Sequence, residues 1–278
     1  MAGVRSKGGM RLRSQVWKKV EAASPYEMEQ MPLFGPLPKR PRRRRRGVKL
    51  GRPRKAGSGS PHRKRPEFKS TQPLHAVLRA HKVLKTMRRR DVYKAIRWAS
   101  IVAAKWEEFR IVHISIQRTH VHLLIEAKDK VALARGLKSF QISAAKLINR
   151  VLPLVDGKRR RGSVFPDRYH LEVITNCLQA RHALAYVLNN WRKHREDQAG
   201  VARTWLVDPF SSGCYFEGWR ELEGRDLFWE LPDTYENLAV WFPKTWLLRV
   251  GWKQYGLIGC REVPGSKDAS AKKSMSRA

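Results

Sequence analysis

Cysteine is scarce in this chain, and long apolar runs are missing from it. Cys177, Cys214 and Cys260 are odd in number, widely spaced and without a Cys-x-x-Cys pair. That pattern argues against a disulfide framework and against a structural zinc site, so we expect three reduced thiols. The sequence has no run of 18 apolar residues, and its N-terminus lacks the apolar region of a signal peptide. We therefore expect a cytoplasmic protein that does not span a membrane.

Acidic residues are also few, with 24 Asp and Glu against 58 Lys and Arg, which gives a formal net charge of +34. A basic chain gains affinity for nucleic acid because each phosphate that it neutralises releases condensed counterions. A membrane surface is the other common anionic partner, but the sequence offers no apolar stretch to enter it. Composition thus predicts a nucleic-acid partner.

The first 72 residues are predicted to be a disordered basic arm. Between Lys39 and Arg65 there are fourteen Lys or Arg and no acid, interrupted by Pro and Gly. Such a segment buries too little apolar surface to offset its conformational entropy. Within it, Leu50–Lys55 resembles an AT-hook core that enters the minor groove, although a solvated arm that binds nucleic acid without sequence preference is the favoured interpretation. The arm residues expected to contact DNA are Arg43, Arg44, Arg45, Arg52, Arg54 and Lys55.

The rest of the chain divides into three parts. Residues 73–200 have the regular apolar patterns of a folded domain, and residues 201–265 hold six of the ten Trp. We interpret this Trp-rich part as a folded appendage that packs on the domain or stacks on unpaired bases. Residues 266–278 are expected to be a disordered tail.

Apolar periodicity predicts the order β-α-β-β-α-β followed by one more helix. The predicted strands are Leu74–His81, Arg110–Gln117, Thr119–Glu126 and Val164–Ile174, and the predicted helices are Asp91–Phe109, Asp129–Val151 and Arg181–His194. This order is typical of an α+β fold of the ferredoxin-like type, with two helices on one face of an antiparallel sheet. The other face would be free for the last helix.

The strand Thr119–Glu126 carries a candidate metal site. Because side chains alternate along a strand, His120 and His122 lie on one face while Val121 and its apolar neighbours lie on the other. Two neutral imidazoles about 6 to 7 Å apart can hold one divalent cation and leave other positions open. A purely structural pair of histidines is the alternative.

The last predicted helix carries a candidate nucleophile. His182, Tyr186, Asn190 and His194 follow one another at i,i+4 steps and so form one polar stripe. The hydroxyl of Tyr186 and the carboxamide of Asn190 can therefore face the histidine pair together. The alternative is a tyrosine that only packs.

These motifs resemble those of the REP-associated tyrosine transposases, bacterial relatives of the single-strand transposases of small insertion sequences within the His-hydrophobe-His endonucleases. The resemblance lies in His120–His122, Val164–His170 and Tyr186–His194 and covers about residues 73–200. The segment Asp208–Ser212 and the Gly-Arg-Pro arm are also similar to those of some members. One departure precedes the histidines, where Arg118-Thr119 replaces a small turn pair.

The resemblance implies a metal-dependent nickase and strand transferase that acts on single-stranded DNA, often folded in hairpins. His120, His122 and Asn190 would be the metal ligands, and Tyr186 would be the nucleophile that forms a 5′-phosphotyrosine. Imidazole and oxygen ligands with open positions suit Mg²⁺ or Mn²⁺. The basic residues beside these motifs that we expect to contact DNA are Arg168, Arg192 and Lys193.

Other interpretations stay open at this point. Insertion-sequence relatives exchange the tyrosine helix within a dimer whereas REP-associated members act as monomers, so both a monomer and a homodimer are possible. An RNA-binding module can use the same sheet, but the strands lack its aromatic motif. A regulatory DNA- or RNA-binding protein on this fold without catalysis is the remaining alternative.

Overall fold

The computed structural model describes residues 65–154, 157–198, 200–222 and 236–265. The strands are β1 (Leu74–Arg79), β2 (Phe109–Ile116), β3 (His120–Ala127) and β4 (His170–Val173), and the helices are α1 (Arg90–Ala103), α2 (Lys130–Val151), α3 (Cys177–Lys193) and α4 (Trp246–Arg249). Short 3₁₀ turns connect several of them, the first at Lys82–Leu84. None of the helices described is both long and apolar enough to cross a bilayer.

The four strands form one sheet in the order β2-β3-β1-β4, and every neighbouring pair is antiparallel. In this order β1 and β3 are the central strands, so residues of these two strands lie at the middle of the sheet. The predicted ferredoxin-like α+β fold is thereby confirmed, with α3 as the additional helix.

The first hydrophobic core lies between the sheet and the pair α1 and α2. Val121, Leu123 and Ile125 of β3 point into it, as the alternation of the sequence predicted. Gly136 of α2 lies directly over Phe109, where a Cβ atom would come within 2.1 Å of the ring. Glycine at this position therefore lets α2 approach the start of β2 closely.

A second core lies on the opposite face of the same sheet. Leu124 of β3 and Val112 of β2 pack there against apolar residues of α3 and against Trp219 and Trp252 of the Trp-rich part. Both tryptophans are almost fully buried. The Trp-rich part thus shares a core with α3, and this core supports α3 against the sheet.

The helix α1 ends at Ala103, six residues before the predicted end at Phe109. The chain turns at Trp106, whose carbonyl accepts from the N–H of Phe109, and Phe109 already begins β2.

The starts of two other elements also differ from those that the sequence predicts. β4 begins at His170 rather than at Val164, because Pro166 has no N–H for a ladder and residues 164 and 165 are buried as a loop. α3 begins at Cys177, four residues before the predicted start at Arg181, and its N-cap Asn176 accepts a hydrogen bond from the N–H of Gln179.

Buried polar contacts attach the segments after α3 to the domain. Arg88 and Asp208 form a bidentate ion pair with both N–O distances at 2.8 Å, and the Asp208 side chain is fully buried. Next to it, the N–H of Ile116 donates to the carbonyl of Phe210 at 2.9 Å. The carboxylate of Glu126 accepts hydrogen bonds from residues 244 and 245 immediately before α4. These contacts cover the edge of β2 and the end of β3.

Candidate active site

The two histidines of β3 lie on the face of the sheet that α3 covers. Their rings meet edge to face with centroids 4.6 Å apart. His122 is buried, and His120, near the start of the strand, is half-buried. Both histidines thus lie on the face opposite the first core, as the alternation along β3 predicted.

The polar stripe of α3 meets this pair. Asn190 is completely buried, and its Nδ2 lies 2.8 Å from Nε2 of His122. The ring of Tyr186 lies edge-on to His122 with centroids 5.3 Å apart, and His194, the C-cap of α3, lies 5.7 Å from the ring of His120. The i,i+4 spacing of α3 therefore brings the predicted nucleophile and all three predicted ligands into one place.

A fourth imidazole, which was not among the residues predicted from the sequence, completes the cluster. His75 of β1 is buried, and its Nε2 lies 3.0 Å from Nδ1 of His122. Its ring also meets Tyr186, with centroids 5.8 Å apart. The signal for it was present, because Leu74 and Ala76 alternate with His75 and place it on the face opposite the core.

Burial keeps these imidazoles neutral. Loss of solvent lowers the pKa of His122 to about 2, helped by the neighbouring His75 and His120. Burial likewise lowers the pKa of His75 and of His120 to about 4, and His194 and Arg79 act in the same direction on His120. At neutral pH each ring therefore keeps a nitrogen lone pair, which is the form that binds metal ions.

The amide oxygen of Asn190 is a suitable ligand for a divalent cation. Oδ1 of Asn190 is buried and finds no hydrogen-bond donor among the described residues, although it lies on the side chain that contacts His122. A buried oxygen without a hydrogen-bond donor is energetically unfavourable unless a cation or another polar group contacts it. Within the described ranges there is no group of three or more His, Cys, Asp or Glu arranged to hold a metal, so the candidate set consists of two imidazoles and this amide.

Tyr186 stands at the wall of an open cleft of about 930 Å³. Its phenol is half-buried, which raises its pKa, and the ammonium of Lys193 lies 5.0 Å from the ring centre. Polar residues of β4 and α3 and the segment after residue 261 line the remaining walls, among them His170, Glu172, Gln179, His182 and Glu262. The cleft gives an extended ligand access to the tyrosine.

The predicted DNA-binding residues are found in three different situations. Lys193 lines the cleft, and Arg168 is exposed before β4. Arg192 points inward instead, where it donates to the carbonyls of Cys260 and Leu206 and pairs with Asp197 at 3.0 Å. These contacts give Arg192 a structural role in holding the segments after α3. The arm residues Arg43, Arg44, Arg45, Arg52, Arg54 and Lys55 lie outside the described residues.

Comparisons with known proteins find a family model and solved structures that are similar to this chain. Residues 70–190 match the family model described as "Transposase IS200 like". No curated protein matches the chain. A structure described as "Structure of the REP associates tyrosine transposase bound to a REP hairpin" is 17% identical over 65% of this chain and 99% of that chain, with a TM-score of 0.39. The family match spans the whole sheet and includes His120, His122, Tyr186 and Asn190. Over residues 70–190, the chain is therefore similar to the IS200-like transposases.

Proposed function

We propose that this protein is a metal-dependent endonuclease and strand transferase that cuts single-stranded DNA through a covalent bond to Tyr186. One observation carries the proposal: the hydrogen bond between Asn190 and His122 brings the tyrosine helix onto the histidine strand. The same arrangement brings a hydroxyl, two neutral imidazoles and an unpartnered amide oxygen together beside an open cleft.

His120, His122 and Asn190 would hold the cation, and their imidazole and oxygen donors suit Mn²⁺ and Mg²⁺. When bound, such an ion polarises a phosphodiester oxygen and neutralises its charge. The low pKa values of the two histidines mean that no proton has to leave them before they bind. Asn190 is held by the helix that carries the nucleophile, so the ligand and the nucleophile keep a fixed separation.

Tyr186 attacks the phosphorus of the scissile phosphodiester with its phenolic oxygen. A bond from this oxygen to phosphorus forms, and the bond from phosphorus to the 3′ oxygen of the preceding nucleotide breaks. The phenol proton passes to solvent, and the departing oxygen takes a proton from solvent to become a 3′-hydroxyl. A second 3′-hydroxyl can attack the 5′-phosphotyrosine in the reverse sense, so strands are rejoined without a nucleotide cofactor.

The charge distribution supports a nucleic-acid substrate. The net charge of +34 favours phosphate binding, and Lys193 places one cation 5.0 Å from the centre of the Tyr186 ring. Exposed Arg168 adds a second positive charge before β4. The motifs resemble those of transposases that act on hairpins, and hairpin-forming single strands are accordingly the proposed substrate.

The proposal is tested by cutting hairpin DNA labelled at the 5′ or at the 3′ end, with Mn²⁺ and on a denaturing gel. We expect the 3′-labelled fragment to migrate with the protein, because its 5′-phosphate is bound to Tyr186. The 5′-labelled fragment should be released with a free 3′-hydroxyl. DNA that is bound but never cut would instead favour a regulatory protein on the same fold.

A further inference from the structure

The proposed chemistry gives no task to His75, although this residue is buried in the middle of the cluster. Its neighbours Leu74 and Ala76 are fixed in the first core, so the alternation of β1 directs His75 to the opposite face. There its Nε2 lies 3.0 Å from Nδ1 of His122. An apolar side chain would fill the same space without leaving polar atoms to satisfy, so the imidazole calls for an explanation.

We propose that His75 is a positioning residue, which holds His122 in the tautomer and orientation that present Nε2 to the metal ion. This inference rests on the proposed function, because it presupposes that His122 is a ligand. A neutral imidazole has one N–H and one lone pair, and a ligating nitrogen must supply the lone pair. If Nε2 of His122 binds the ion, its Nδ1 carries the hydrogen.

The hydrogen on Nδ1 of His122 then needs a buried acceptor. Nε2 of His75 is at hydrogen-bond distance from that atom, so His75 accepts and carries its own hydrogen on Nδ1. The contact with Asn190 requires the same tautomer, because an amide nitrogen donates and Nε2 of His122 must accept; a bound ion would take this one lone pair in place of the hydrogen bond. Both hydrogen bonds of His122 are therefore satisfied by one tautomer.

The position of His75 is itself constrained, so it can orient another side chain. Its ring lies 5.2 Å from that of His122 at an interplanar angle of 23°, and 5.8 Å from that of Tyr186 at 67°. β1 pairs with β3 in antiparallel register, with Val77 opposite His122. A central strand thus carries the orienting group, and a rigid support of this kind is what a metal ligand requires.

The first test measures Mn²⁺ affinity of the full chain without DNA, from the electron paramagnetic resonance signal of free Mn²⁺. His75→Phe keeps a ring of similar size but has no acceptor, and we expect it to bind Mn²⁺ about 10 to 100 times more weakly. His75→Gln offers an amide oxygen as acceptor, and we expect it to restore much of the affinity. His122→Ala is the reference in which a ligand itself is removed.

The proposed metal site and the proposed role of His75 are distinguished by this experiment. If His122→Ala binds Mn²⁺ as the wild type does, the proposed metal site is wrong, and the inference falls with it. If His122→Ala loses binding while His75→Phe retains wild-type affinity, the inference alone is overturned. Cleavage by His75→Phe at saturating Mn²⁺ should approach the wild-type rate, since the deficit lies in binding the ion.

A second measurement needs no variant and decides the matter if His75→Phe fails to fold. Nitrogen-15 chemical shifts of labelled wild-type protein report which ring nitrogen of His122 is protonated. With saturating Mg²⁺ we expect the hydrogen on Nδ1 of His122, with Nε2 of His75 unprotonated. A His122 ring that carries its hydrogen on Nε2 under these conditions would overturn the inference.

Discussion

Nδ2 of Asn190 lies 2.8 Å from Nε2 of His122, although the two residues are 68 positions apart in sequence. Both side chains are almost inaccessible to solvent, so their contact joins α3 to β3 at a position shielded from water. Tyr186 lies one helical turn before Asn190, and its place relative to His122 follows from helix geometry. The proposed nucleophile is thereby positioned by the same contact that supplies a proposed ligand.

Replacing Asn190 by Ala should raise the Mn²⁺ concentration needed for cleavage by about tenfold or more, as expected for loss of one of three protein ligands. Some covalent adduct should still form at saturating Mn²⁺, because Tyr186 remains. Mn²⁺ titrations of the cleavage rate measure this. The matched control is Asn189→Ala, which removes a buried hydrogen bond to the carbonyl of Gly259 and costs about 1 to 3 kcal/mol of stability. The control should leave the Mn²⁺ requirement unchanged.

Neighbouring residues on β3 should respond in opposite ways to substitution. His120→Ala should abolish cleavage with either ion and leave the protein folded, because this half-buried side chain lies on the cleft face. Val121→Asp should unfold the domain, because an unpaired carboxylate in the core costs several kcal/mol. Circular dichroism during thermal unfolding and the cleavage assay separate the two. A collapsed His120→Ala beside a folded Val121→Asp would reverse the assignment of faces.

Deleting residues 1–63 should weaken DNA binding and reduce its dependence on salt. This deletion removes twelve of the fourteen Lys and Arg found between Lys39 and Arg65. Each lost phosphate contact lowers the slope of log affinity against log salt by roughly 0.7 to 0.9. Binding measured between about 50 and 200 mM salt gives the slope, and cleavage at saturating DNA should persist. A truncated protein with the full slope would show that the arm does not bind phosphate.

The stability of the protein should fall in mild acid, in part because of His113. Burial lowers the pKa of this imidazole to about 4 in the folded state, against 6.5 for the free side chain. Between these pH values the unfolded chain takes up a proton that the folded chain refuses, so the free energy of unfolding decreases as the pH falls. The full effect of one such group, below pH 4, is on the order of 3 kcal/mol.

His113→Gln isolates this contribution. The glutamine keeps a polar partner for the hydroxyl of Ser212, which lies 3.0 Å from Nδ1 of His113, but it does not titrate. The other buried histidines are present in both proteins, so the difference between the two pH profiles belongs to His113. Urea unfolding from pH 7 to pH 4 should show a shallower profile for His113→Gln. Parallel profiles would contradict the shifted pKa.

Local patterns were sufficient to predict most of the fold and most of the proposed site. Alternation along β3 placed His120 and His122 on one face, and i,i+4 spacing placed Tyr186 and Asn190 together on a helix. Both rules depend only on neighbours within a few residues, so they do not need tertiary contacts. The ferredoxin-like fold class followed from the number and order of the elements along the chain.

Contacts between distant segments were not predictable in this way. Arg192 was expected to contact DNA, yet it binds the carbonyls of Cys260 and Leu206, whose location depends on the path of the chain after α3. β4 was predicted too long because Val164 and Phe165 are apolar, and apolar residues are buried equally well in a loop. The role of His75 depends on the pairing of β1 with β3, which periodicity alone does not specify.

Tyr186 is the residue that we propose becomes linked to DNA. The most direct measurement is digestion of the covalent adduct formed on hairpin DNA with Mn²⁺, followed by peptide mapping by mass spectrometry. We expect a nucleotide on the peptide that contains Tyr186 and no adduct from Tyr186→Phe, which should still fold and bind DNA because its ring is kept. Tyr169, whose hydroxyl accepts a hydrogen bond from Arg65, provides the matched control, and Tyr169→Phe should retain the adduct. A nucleotide on Tyr169, or an adduct that persists in Tyr186→Phe, would contradict the account.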